Sequence, residues 1–153
     1  MNAMVRPRGG AAIGVLEDLD PVEAAAVLYL RLWCDGAGAQ LQVQRDFDRT
    51  LGTAHGETAL GSLQQLCRLC AEHGRRPLMR HGVGCRCLGA DEACFAHFVA
   101  AASEPDSEDA ILIATLLVRP DLAPCLVDAA RTLGLALRRM AIAERRAPTD
   151  RLH

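Results

Sequence analysis

Between Ala24 and Cys34 the chain reads AAAVLYLRLWC, and Arg31 is the single charge in it. Asp20 stands as an N-cap, Pro21 at the first helical position and Glu23 where a capping box places its acid, so the run is expected to be a helix. A helix that is apolar on every side has to be central or covered by a partner. That requirement constrains the fold more than any other feature of the sequence.

The remaining segments read as further helices. GAQLQVQRDFDRTLG carries Leu41, Phe47 and Leu51 on one broad face; its LQVQ alternation suits a strand, but no partner strand is evident, and a helix is expected. ETALGSLQQLCRLCAEHG is a third helix, with Gly74 as a left-handed cap. DEACFAHFVAAAS follows, with Asp91 and Glu92 in its first turn, where the helix dipole favours acids. The acidic turn EPDSED leads into AILIATLLV, again apolar all round and expected to be central. The last helix has Asp121 or a neighbour as cap, Pro124 in its first turn and arginines at its end. The expected fold class is therefore all-α: a single-domain bundle of about six helices, two of them central and nearly all-apolar.

Composition agrees. The chain has 153 residues, enough for one domain, and half are hydrophobic, yet it holds only one Trp, one Tyr and three Phe. The core must be aliphatic, and Ala and Leu favour helix. Residues 1–19 are expected to be a tail or pairing arm, 20–146 the helical domain and 147–153 a C-terminal tail. The run AAIGVL is too short for a secretory core and acidic residues follow it. No stretch reaches the ~20 apolar residues of a membrane span. With seven cysteines, an odd number, and no export signal, a reducing cytoplasm is the expected location.

The chemistry concentrates in CRLCAEHGRRPLMRHGVGCRC, Cys67 to Cys87. Three readings compete. In the first, Leu60, Leu63, Cys67 and Cys70 form one apolar stripe on the third helix, and the cysteines there are core. In the second, Cys67, Cys70, Cys85 and Cys87 hold structural zinc. The spacing, C-x2-C, fourteen residues, C-x-C, is near the zinc pattern but shorter in its second pair. His73, His81 and Cys94 are alternative ligands, and Arg68, Arg75, Arg76, Arg80 and Arg86 can offset thiolate charge. In the third, a thiolate does redox chemistry, although a CxxC at a helix C-terminus has the dipole against it. Cys34 and Cys125 lie in apolar helices and read as packing, and His97 as solvent-facing.

The loop itself, with Arg75, Arg76, Arg80 and Arg86, can hold a phosphate or an acidic partner. No aromatics are interleaved for base stacking, and lysine is absent, so arginine carries no special signal. The net charge of −2 does not support nucleic acid as a partner. The expected function is a non-enzymatic helical module, stabilised by zinc at residues 67–87, that binds another macromolecule through the arginine loop. A homodimer through the all-apolar helices is a further expectation. The alternative is a small cysteine-dependent redox sensor or enzyme acting through a thiolate in the same region. No catalytic triad, P-loop, dinucleotide or zinc-protease motif is present.

Overall fold

The computed structural model describes residues 8–151, with side chains for 9–146. Among these, six α-helices follow one another: α1 (Pro21–Cys34), α2 (Ala37–Leu51), α3 (Thr53–His73), α4 (Ala90–Ala102), α5 (Glu108–Leu117) and α6 (Ala123–Arg151). Two short strands, β1 (Ala12–Val15) and β2 (Cys87–Gly89), pair antiparallel. The all-α expectation holds, and the sheet is a small clasp on it.

α1 begins as its sequence indicates. The Asp20 carboxylate accepts the Glu23 N–H at 2.8 Å, and Pro21 sits at the first position. The helix ends at Cys34, with Asp35 as its cap. Gly36, at φ 111°, then turns the chain into α2. α1 packs against α2, α3, α4 and α6, the central place its apolar surface requires. On α2 the buried pair is Val43 and Phe47, one helical turn apart, while Leu41 is exposed and Leu51 half-buried. Phe47 meets Tyr29 of α1 edge-on at 4.9 Å, and the Tyr29 hydroxyl donates to Asp46 at 3.3 Å. Fully burying a ring the size of Phe47 contributes about 1.5–3 kcal/mol.

α5 departs from expectation. Leu112 is 63% exposed and Leu116 70%. Only Ala110, Ala114 and Leu117 are buried, so the helix lies on the surface of α4 and α6. Two alanines and Leu117 make the contact, and Leu112 and Leu116 stay outside. Apolar character alone therefore did not place it at the centre. α6 continues as helix to Arg151, past residue 146, where a tail is expected. Asp121 sits in a separate 3-10 turn before it.

The N-terminal arm pairs within its own chain. β1 runs along β2, so residues 12–15 close over the start of α4. Gly74 also differs from expectation. Its φ is −64° and ψ 145°, an extended rather than left-handed cap. Glycine is required for a steric reason, because a Cβ there would overlap the Cys70 carbonyl oxygen. The extended exit sends the chain along α5, where Gly74 bridges Val118 and the Arg75 N–H donates to the Leu117 carbonyl at 3.0 Å. No helix of the structure is long and apolar enough to cross a membrane.

Candidate functional site: a thiol pocket under an arginine-pinned loop

The loop from Gly74 to Gly89 is organised by charges lying beneath it. Arg31, the lone charge of α1, is 1% exposed, and Glu92 of α4 is 0% exposed. The Arg31 Nε donates to one carboxylate oxygen at 2.6 Å and a terminal nitrogen to the other at 2.8 Å. The same guanidinium reaches up to the backbone. It donates to the Cys85 carbonyl at 2.6 Å and the Cys87 carbonyl at 2.7 Å. Glu92 in turn accepts the N–H of His81 at 3.1 Å and of Gly89 at 3.0 Å. Charges this deep are tolerated only when their hydrogen-bonding capacity is met, and here it is. Burial pushes the Glu92 carboxyl up, but the Arg31 bonds with the Gly89 and His81 N–H groups bring it below its ordinary 4.5.

Asp91, next to Glu92, is buried and repeats the device. It takes a two-pronged ion pair from Arg76 and accepts the Met79 N–H at 2.7 Å. So Asp91 and Glu92 do more than complement the dipole of α4; they anchor the loop. Every arginine expected to bind a partner is bonded within the chain. Arg75 donates to the Thr115 carbonyl at 2.7 Å, Arg76 pairs with Asp91, Arg80 donates to the Cys34 carbonyl at 3.3 Å, and Arg86 pairs with Glu17 at 2.9 Å.

Under the loop lies a cavity of about 220 Å³, lined by Cys34, Cys67, Cys70, Arg80, Leu78 and Phe95 among others. The stripe expected on α3 is there. Leu63 and Cys70 are buried, and Leu60 and Cys67 are partly buried against the core. What sequence reasoning missed is Cys34. It packs against the core, as expected, and the end of α1 also brings it to the cavity wall, half-exposed. As the last residue of α1, Cys34 lies where helix carbonyls disfavour negative charge. Even so, the neighbouring Cys67 thiol holds Cys34 down to about 6, with Arg80 assisting and burial opposing. Cys67 itself is pushed well up, by sharing its proton with Cys34 and by burial. Burial and the Cys34 charge push Cys70 up to about 11. A thiol between a donor and a cation is the arrangement that makes a cysteine nucleophilic.

The four residues expected to bind zinc divide between two places. Cys67 and Cys70 face the cavity. Cys85 and Cys87 lie on the loop, half-buried and exposed respectively, with their carbonyls on Arg31. Among the described residues, no three His, Cys, Asp or Glu side chains gather as a set that could hold a metal ion. Of the alternative ligands, His73 is exposed beside Glu72, and Cys94 lines a second cavity with Cys70, Arg76 and Asp91. Cys125 is exposed rather than packed. No family model, no curated protein and no solved structure matches this chain.

Proposed function

We propose that the protein is a thiol-based redox module in which Cys34 is the reacting cysteine and Cys67 its resolving partner. The observation that carries this reading is geometric. The fold brings Cys34 from α1, Cys67 from α3 and Arg80 from the loop to one small cavity. A hydroperoxide is the oxidant class that fits. The Cys34 thiolate attacks one peroxide oxygen, the O–O bond breaks, and the leaving alkoxide takes a proton, giving an alcohol and a sulfenic acid. The Cys67 sulfur then attacks the Cys34 sulfur, the S–O bond breaks, and water leaves with the Cys67 proton. In total, two thiols and one hydroperoxide become a disulfide, an alcohol and water. The internal bonding of Arg75, Arg76, Arg80 and Arg86 favours this over a partner-binding arginine loop.

A macromolecular partner draws support at a different surface, the exposed Ile111, Leu112 and Leu116 of α5. The redox reading is tested by adding one equivalent of hydroperoxide to the reduced protein and mapping peptides without reductant. A Cys34–Cys67 linkage that dithiothreitol reverses is expected, and Cys67→Ser should stop at a sulfenic acid on Cys34. Oxidation of Cys34 no faster than that of exposed Cys125 would exclude the reading.

A further inference from the structure

The loop carries a second thiol whose surroundings are built differently. The His81 ring has its Nε2 at 3.1 Å from the Gly10 carbonyl oxygen. A carbonyl only accepts, so Nε2 holds the proton. In the neutral ring Nδ1 then presents its lone pair, and what lies before it, at 3.9 Å, is the Cys85 sulfur. Gly89 lies close against the ring, since a Cβ built there would stand 3.0 Å from its Cδ2.

Both members also stand on the same buried ion pair. The His81 N–H is bonded to the Glu92 carboxylate, and the Cys85 carbonyl to the Arg31 guanidinium. A nucleophile, a base facing it, and a group that sets the tautomer of the base are the parts of an activated thiol. Their support is held by charges that cannot shift without unfolding the loop.

We propose that Cys85 and His81 form a second nucleophilic site, which exchanges with low-molecular-weight disulfides. The site rests on observations separate from those behind the Cys34–Cys67 reading. Cys85 is half-exposed between the exposed Gly84 and Arg86, so a small, soft sulfur electrophile has access. The Cys85 proton passes to Nδ1 of His81. The sulfur attacks one sulfur of the disulfide RSSR and that S–S bond breaks. The departing RS− takes the proton back from Nδ1 and leaves as RSH, with Cys85 held as the mixed disulfide. Protons and electrons balance, and the imidazole ends as it began.

Cys87 supplies the internal control. Its carbonyl is bonded to the same Arg31, and its side chain is more exposed than that of Cys85. Among the described residues, no imidazole is bonded to it.

The experiment treats the full-length Cys34→Ser protein with oxidised glutathione and follows the mixed disulfides by peptide mass spectrometry over time. This background removes the Cys34–Cys67 chemistry, so the two proposals fail separately. Cys85 is expected to be modified about tenfold faster than Cys87 or Cys125. That is below the ~100-fold low end for a well-placed general base, because 3.9 Å is a loose contact. His81→Gln keeps a donor for the Gly10 carbonyl but cannot take the proton, and should bring Cys85 to the rate of Cys87. The wild-type ranking of the three cysteines needs no substitution at His81, so a poorly folded variant does not protect the proposal. Cys85 reacting no faster than Cys87, or an unchanged Cys85 rate in folded His81→Gln, would overturn it.

Discussion

Glu92→Gln is the substitution that most directly examines the frame of the loop. Glu92 accepts four hydrogen bonds. One oxygen takes Arg31 and Gly89, and the other takes Arg31 and His81. Glutamine offers one oxygen and one NH2 group. Whichever way the amide turns, its nitrogen faces two donors, so two buried N–H groups lose their acceptor. Each such loss costs about 1–3 kcal/mol. The Arg31 charge also remains buried without its counter-ion, and breaking a buried pair in this way costs about 3–5 kcal/mol in total. For a chain of this size, about 2–4 °C of melting temperature is lost per kcal/mol, so the expected drop is roughly 6–20 °C.

The measurement is thermal and urea unfolding followed by far-UV circular dichroism. The pH dependence gives a second check. Glu92 has a folded-state value below its ordinary 4.5, so its contribution is full above the unfolded value and is lost as pH falls through the folded one. The gap between wild type and variant should be constant at neutral pH and close below about pH 4. The double variant Arg31→Met, Glu92→Leu removes the uncompensated charge but leaves the His81 and Gly89 N–H groups and the Cys85 and Cys87 carbonyls without partners, so it should stay well below wild type in stability, with the amides of His81 and Gly89 exchanging faster. A Glu92→Gln protein within ~1 kcal/mol of wild type would refute the assignment of the ion pair as the loop's anchor.

Two further outcomes follow from the site. Alkylation of Cys34 by iodoacetamide should rise with a midpoint near pH 6 and level off above it, whereas Cys70 should stay unreactive until far more alkaline pH; a Cys34 midpoint in the ordinary thiol range of ~8.5 contradicts this. Gly74→Ala should destabilise the protein by about 1–3 kcal/mol, because the obstacle is the Cys70 carbonyl and the backbone has to shift; a neutral effect in chemical denaturation would mean that α3 ends more loosely than described.

Much of the frame was legible in the sequence, because helix caps and apolar stripes are local signals. Asp20, Pro21 and Glu23 marked the start of α1, and its apolar surface marked its place at the centre. α5 was misplaced by the same logic. Hydropathy does not distinguish a helix buried all round from one that contacts its neighbours through Ala110, Ala114 and Leu117 and leaves Leu112 and Leu116 outside. The pairing of β1 with β2 joins segments more than seventy residues apart, and the Cys34–Cys67 pocket joins two helices, so neither had a spacing to reveal it. Arg31 did carry a usable signal. A single charge within an otherwise apolar central helix has to find a buried partner, and the acids flanking the cysteine loop are Glu72, Asp91 and Glu92. The zinc spacing weighed sulfurs, whereas the geometry of the loop depends on carbonyl oxygens and carboxylates.

The reach of the Arg31–Glu92 bond along the chain has a kinetic consequence. Its partners are 61 residues apart in sequence, so the anchor cannot form until α1 and α4 have met, and closing so long a segment is entropically costly. The loop is therefore expected to order late in folding. Substitutions at Glu92 should speed unfolding and leave the folding rate nearly unchanged, the pattern of contacts absent from the transition state. During synthesis at ~5–20 residues per second, Cys34 is made several seconds before Glu92, which lies 58 residues later in the chain. For those seconds Cys34 is without the anchored loop that covers it in the native state, and an oxidant that arrives then meets a different set of neighbours from the one that the finished fold selects.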